Sequence, residues 1–175
     1  MLLVMMRRFA AASLLTIVLA CPLQLAAQAD DLSANDKDFT EYAGETDLLL
    51  VRIARLADMQ AVSPKVKAFA LTLEKQHAAD LKKLTAVANQ TGGVAPDTLD
   101  DPHLTLVKQL HKLKGSDFDI AFLKMVVNQH ESVLESYKRE ADHGFNPNLQ
   151  SYAKAASPKL EIHLKEAKEL AASVQ

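Results

Sequence analysis

Apolar residues return every three or four positions through most of this chain, and each run of them is closed by residues that stop helices. Phe39, Tyr42, Thr46, Leu49, Ile53 and Leu56 mark one face of a helix over about residues 37–60, with Ser33, Asn35 and Asp36 available as caps. Ser63-Pro64 is a cap followed by the residue best tolerated in a first helical turn. Val66, Ala70, Leu73, Leu81, Leu84 and Ala88 then carry a second helix to Gly92-Gly93. Ser116 with Asp119 resembles a capping box. Behind it Phe118, Phe122, Val126, Val133 and Tyr137 predict a third long helix ending near Gly144. Asn146-Pro147 opens a fourth, carried by Leu149, Tyr152, Ala156, Leu160, Ala167 and Leu170, which Ser157-Pro158 is expected to kink or split.

The connections carry the topology. The first two long helices are joined by about three residues, and the last two by a similarly short turn, so each pair is expected to form an antiparallel hairpin. Residues 91–115 lie between the hairpins, with Leu104, Val107, Leu110 and Leu113 predicting a short helix after Asp101-Pro102 that Gly115 ends. Helices of about 26 residues rise roughly 39 Å, a span this connection can cover. The expected fold is all-α: a ferritin-like antiparallel four-helix bundle over residues 37–173, with a long crossover between its second and third helices.

Composition changes the picture at the N-terminus. Arg7 and Arg8 precede an apolar stretch from Phe9 to Ala20 that is too short to span a bilayer, and Ala27-Gln28-Ala29 has the form of a cleavage site. Residues 1–29 therefore read as a signal peptide and 30–36 as a lead, placing the mature domain in the periplasm or outside the cell. Val18-Leu19-Ala20-Cys21 offers the alternative of a lipoprotein anchored through Cys21. Removing Arg7 and Arg8 takes the 20 basic residues to 18 against 22 acidic ones, a net charge of −4. Such a chain has no basic surplus for nucleic acid. Cys21 is the sole cysteine, so cleavage after Ala29 leaves neither thiol nor disulfide.

The candidate chemistry is imidazole. His77, His130 and His163 each fall on the apolar stripe near the middle of a different long helix, and midpoints of antiparallel helices share one level. With Glu74 or Glu45 beside them, they would offer three nitrogens and one oxygen to a single divalent transition-metal ion, zinc, copper or iron. Glu161, Glu166 and Asp80 are expected as acceptors for the ring N–H groups. A di-iron carboxylate site needs Glu-x-x-His from two helices. Glu74 and His77 supply one such motif, whereas Leu160 stands three residues before His163. No G-x-S-x-G, H-E-x-x-H or phosphate-binding glycine loop points to an enzyme. His103 and His111, on or beside the crossover helix, read as solvated. A structural or interaction module without metal is the alternative, and a di-iron redox enzyme the third reading.

Taken in order, Val66-Lys67-Ala68-Phe69-Ala70 after Ser63-Pro64, His77 after Gln76, Gly115-Ser116-Asp117-Phe118-Asp119, His130, and Pro158 with Leu160-Glu161-Ile162-His163-Leu164 resemble the exported bacterial domain-of-unknown-function 4142 family. The resemblance covers roughly residues 36–172. It implies a ferritin-like bundle in a bacterial envelope, with no reaction attached. Members commonly carry an acidic residue in the second half of the first helix, where this chain is apolar near Leu50.

Overall fold

The computed structural model describes residues 32–174, so the leader with Cys21 lies outside the described residues. Five helices account for nearly all of it: α1 (Ala34–Gln60), α2 (Pro64–Gln90), α3 (Asp101–His111), α4 (Gly115–His143) and α5 (Pro147–Ser173). Among the described residues there is no strand. Helix starts follow the local chemistry in four of the five cases. Ser33, Ser63, Asp100 and Asn146 each accept a backbone N–H of the first turn, and α2, α3 and α5 have proline there.

Two local expectations need correction. Pro158 does not split the last helix, which is continuous from Pro147 to Ser173. It removes one hydrogen bond to the carbonyl of Lys154, an exposed residue, where water is at hand. Nor does Asp119 box the start of α4, which lacks a side-chain cap. Its buried carboxylate instead accepts the backbone N–H groups of Val62 (3.1 Å) and Ser63 (2.8 Å), tying the α1–α2 turn to α4.

The four long helices form a ring in which α1 packs on α2 and α4, and α5 packs on α4 and α2. Cross-contacts give the directions. Asp36, at the start of α1, accepts the N–H of Phe145 beyond the end of α4, while the end of α1 meets the start of α4 through Asp119. On α2 and α5, Gln76 faces His163 and Asp80 faces Lys159. Every neighbouring pair in the ring is therefore antiparallel, and α2 and α4, diagonal to one another, run the same way. Joining them needs a connection that travels the length of the ring, which residues 91–114 provide with α3. The connection lies close on α1: a Cβ added to Gly44 would stand 2.5 Å from Cδ of Pro96.

The apolar interior is in two parts. One cluster holds Leu49 to Ala57, Val66 to Leu73, Phe118 to Val126 and Ala167. The other holds Phe39, Ala43, Leu84, Ala88, Val133, Tyr137, and Leu149 to Leu160. The gaps fall at one level on all four helices, and into them the chain puts Asp47, His77, His130 and His163.

Glu140 is a buried acid outside that level, with Oε1 lacking a hydrogen-bond partner. Burial and the neighbouring Asp36 carboxylate push its pKa up to about 7. Below the ordinary carboxylate range both the folded and unfolded chains hold this proton. As pH rises toward 7 the unfolded chain releases it and the folded chain does not, so stability falls through this window and stays lower above it. Glu140→Gln is expected to gain roughly 2 kcal/mol on the wild type between pH 5 and pH 8. Urea midpoints at the two pH values measure this; a constant difference would place the carboxylate in contact with water.

Candidate metal centre

Each of the three imidazoles arrives by helical periodicity. His77 lies one turn beyond Leu73, His130 one turn beyond Val126, and His163 three residues after Leu160, so each side chain follows its helix's apolar stripe inward. The rings are 0–1% exposed. Their centroids form a nearly equilateral triangle with sides of 5.3, 5.2 and 5.4 Å. One nitrogen from each lies within 4.8 Å of the others.

The outer nitrogens are held. Nδ1 of His130 donates to the carbonyl of Val126 at 2.8 Å, and Nε2 of His163 donates to Oε1 of Gln76 at 2.6 Å. A carbonyl oxygen has no proton to give, so both of those ring nitrogens carry the hydrogen. In neutral rings the remaining nitrogens, Nε2 of His130 and Nδ1 of His163, are then lone pairs, and they face each other at 3.3 Å. Two lone pairs in that position repel unless a cation sits beside them. Nδ1 of His77 meets Oδ1 of Asp47 at 2.7 Å, and Nε2 of His77 is buried with no partner at all. Turning the Gln76 amide over would allow one His163–His130 hydrogen bond, but it leaves Nε2 of His77 alone.

Burial keeps all three rings uncharged. Burial pushes the pKa of His77 down to about 4, against the pull of the Asp80 carboxylate. Burial, reinforced by the adjoining rings, pushes His130 and His163 down to about 3. Burial and the Asp80 charge raise Asp47 in turn, so the cluster by itself favours uncharged groups. A dication among the rings would favour the Asp47 carboxylate instead. Asp80 is committed elsewhere: both its oxygens take Lys159 Nζ, at 2.6 Å to Oδ1.

The two carboxylates singled out in the sequence do not join the rings. Glu74 pairs with Arg55 at 2.7 Å on the outside of α1 and α2. Glu45 faces the crossover, 3.4 Å from His103, which also bonds Asp100 at 2.6 Å and is half-buried rather than solvated. The acid at the cluster is Asp47, two residues after Glu45 and so about 200° further around the helix. It stands one turn before Leu50 on the same buried face. The acceptors for the ring N–H groups differ too, being Asp47, Val126 and Gln76 in place of Glu161, Glu166 and Asp80. Asp47 shares a face with Ala43, Leu50 and Ala54, a weaker signal than the stripe from Phe39 to Leu56, and only the packing of α1 resolves it. Gln76, beside a candidate ligand, carried no such signal.

The donor set suits a borderline metal. Three imidazole nitrogens, each with its other nitrogen fixed by a carbonyl, an amide oxygen or a carboxylate, match zinc, copper or iron and not magnesium or calcium. An ion bonded at about 2.0–2.1 Å needs nitrogens roughly 3.3–3.6 Å apart, so the His130–His163 spacing already fits. A bridged pair of ions would need more oxygens: Glu131 pairs with Lys168 at 2.7 Å, and Glu74 with Arg55.

Geometry thus defines an all-helical protein with a buried three-histidine cluster that can hold a metal ion. Residues 21–170 match the family described as Domain of unknown function (DUF4142), and the chain belongs to it. Among solved structures it is similar to a DUF305 fragment from Deinococcus radiodurans, at a TM-score of 0.71 and 11% identity, over 82% of this chain and 99% of that one. At that identity the likeness speaks for the fold alone. No curated protein matches the sequence.

Proposed function

We propose that this chain is an exported, ferritin-like helical-bundle protein that binds one divalent transition-metal ion, zinc, copper or iron, through His77, His130 and His163. The antiparallel ring with its long α2–α4 connection supports the ferritin-like reading. The leader composition supports export, and no helix among the described residues is long and apolar enough to cross a membrane. The observation that carries the metal is Nε2 of His77, a fully buried ring nitrogen with no partner, beside Nε2 of His130 and Nδ1 of His163, which lie 3.3 Å apart. Leaving such a nitrogen unpaired costs about 1–3 kcal/mol, and one cation would engage all three inner nitrogens. The role is holding the ion, for which three buried rings provide the ligands.

The test is metal content by mass spectrometry of tag-free protein isolated from its own host. About one ion per chain is expected in the wild type, and none in a His77→Ala/His163→Ala double variant. Equal, negligible content in both would sink the proposal and leave a metal-free histidine layer as packing. The mature N-terminus decides the compartment: Asp30 supports cleavage after Ala29, a lipidated Cys21 supports the anchored form, and an intact Met1 removes export.

A further inference from the structure

A closed cluster raises the question of how an ion reaches it. We propose that the ion enters and leaves through the α2–α5 seam, where Gln76 latches His163. This inference rests on the metal-binding reading. A groove of about 380 Å³ lies along that seam, and its wall includes Thr72, Gln76, Ala79, Ile162, Glu166 and His163 itself. The grooves at the α1–α4 and α4–α5 seams touch none of the three rings. His163 is therefore both a ring of the inner triangle and part of the groove wall.

Between the groove and the inner nitrogens stands the His163 ring, and its outer nitrogen is held by one side-chain hydrogen bond. Gln76 Oε1 receives Nε2–H of His163 at 2.6 Å, and Gln76 is itself only partly buried. His77 and His130 have no such exit. The first is held by buried Asp47, the second by a carbonyl of its own helix, and neither bond can open without disturbing the core. Releasing the Gln76 amide frees His163 to turn about its side-chain bonds toward the groove. The mouth is close to balanced in charge: Lys75 and Glu166 are both exposed there, and Lys159 is engaged by Asp80. The route is thus governed by the latch and the space beside it rather than by electrostatic steering.

Zinc uptake by the mature chain, followed by stopped flow against a chromophoric chelator, tests this, with release measured from the zinc-loaded protein. Gln76→Ala is expected to raise the uptake and release rates together, by about tenfold. A residue that merely oriented His163 would raise release alone. Ala79→Phe, at an exposed position, is expected to fill the groove and slow both rates with little change in affinity. Ala141→Phe, in the α4–α5 groove, should alter neither. Zinc binding with rates unmoved by Gln76→Ala and Ala79→Phe would overturn the route while leaving the metal site intact. A wild type that takes up no zinc would overturn both.

Discussion

Zinc added in excess to the metal-free mature protein is expected to raise its melting temperature by on the order of 10 °C. A ligand present at 100 times its dissociation constant, bound only by the folded chain, stabilises it by about 2.7 kcal/mol. For a helical domain of this size each kcal/mol shifts the midpoint by roughly 3–5 °C. The gain should vanish in His130→Ala, whose ring is one corner of the triangle and bonds outward only to Val126. It should reverse with a chelator, and magnesium should not reproduce it, because three imidazoles are a poor shell for an ion that requires oxygen. Differential scanning calorimetry of both proteins, with and without each ion, measures this. A wild type unmoved by millimolar zinc would mean that the facing nitrogens are satisfied within the protein.

Asp119→Ala is expected to lose about 3 kcal/mol of stability although it lies far from the imidazoles. The carboxylate is buried and accepts two backbone donors, Val62 and Ser63, at the turn that starts α2. Hydrogen bonds to a charged acceptor are the stronger kind. Truncation also strands both N–H groups at about 1–3 kcal/mol each, less whatever water recovers. Asp119→Asn should fall between, since its amide offers one acceptor where two are used. Asp117→Ala, exposed in the same first turn of α4, should cost no more than about 1 kcal/mol through the helix dipole. Urea unfolding of the three variants gives the ranking. A loss in Asp119→Ala no greater than in Asp117→Ala would show that the turn holds without the cross-link.

The same residue shows how far a local pattern reaches. Ser116 and Asp119 have the spacing of a capping box, and nothing within four residues says otherwise. The carboxylate is used by a turn 56 residues away, because α1 ends beside the start of α4. Glu45 and Asp47 make the same point at the cluster. Both are acids near the middle of α1, and the choice between them depends on how far that helix is rotated about its axis when it packs on α2.

By itself the sequence determined the helices, their order, the short and long connections, and the inward direction of three central histidines. Those properties depend on residues within a turn or two of one another, where periodicity, caps and breakers act. Only the packed bundle decided which acid meets His77, that Gln76 holds His163, and that ring nitrogens of His130 and His163 face each other across 3.3 Å. Such pairings depend on the rotation and height of each helix against its neighbours. They are set by how all four apolar faces fill a common interior, and no single stretch of the chain contains them.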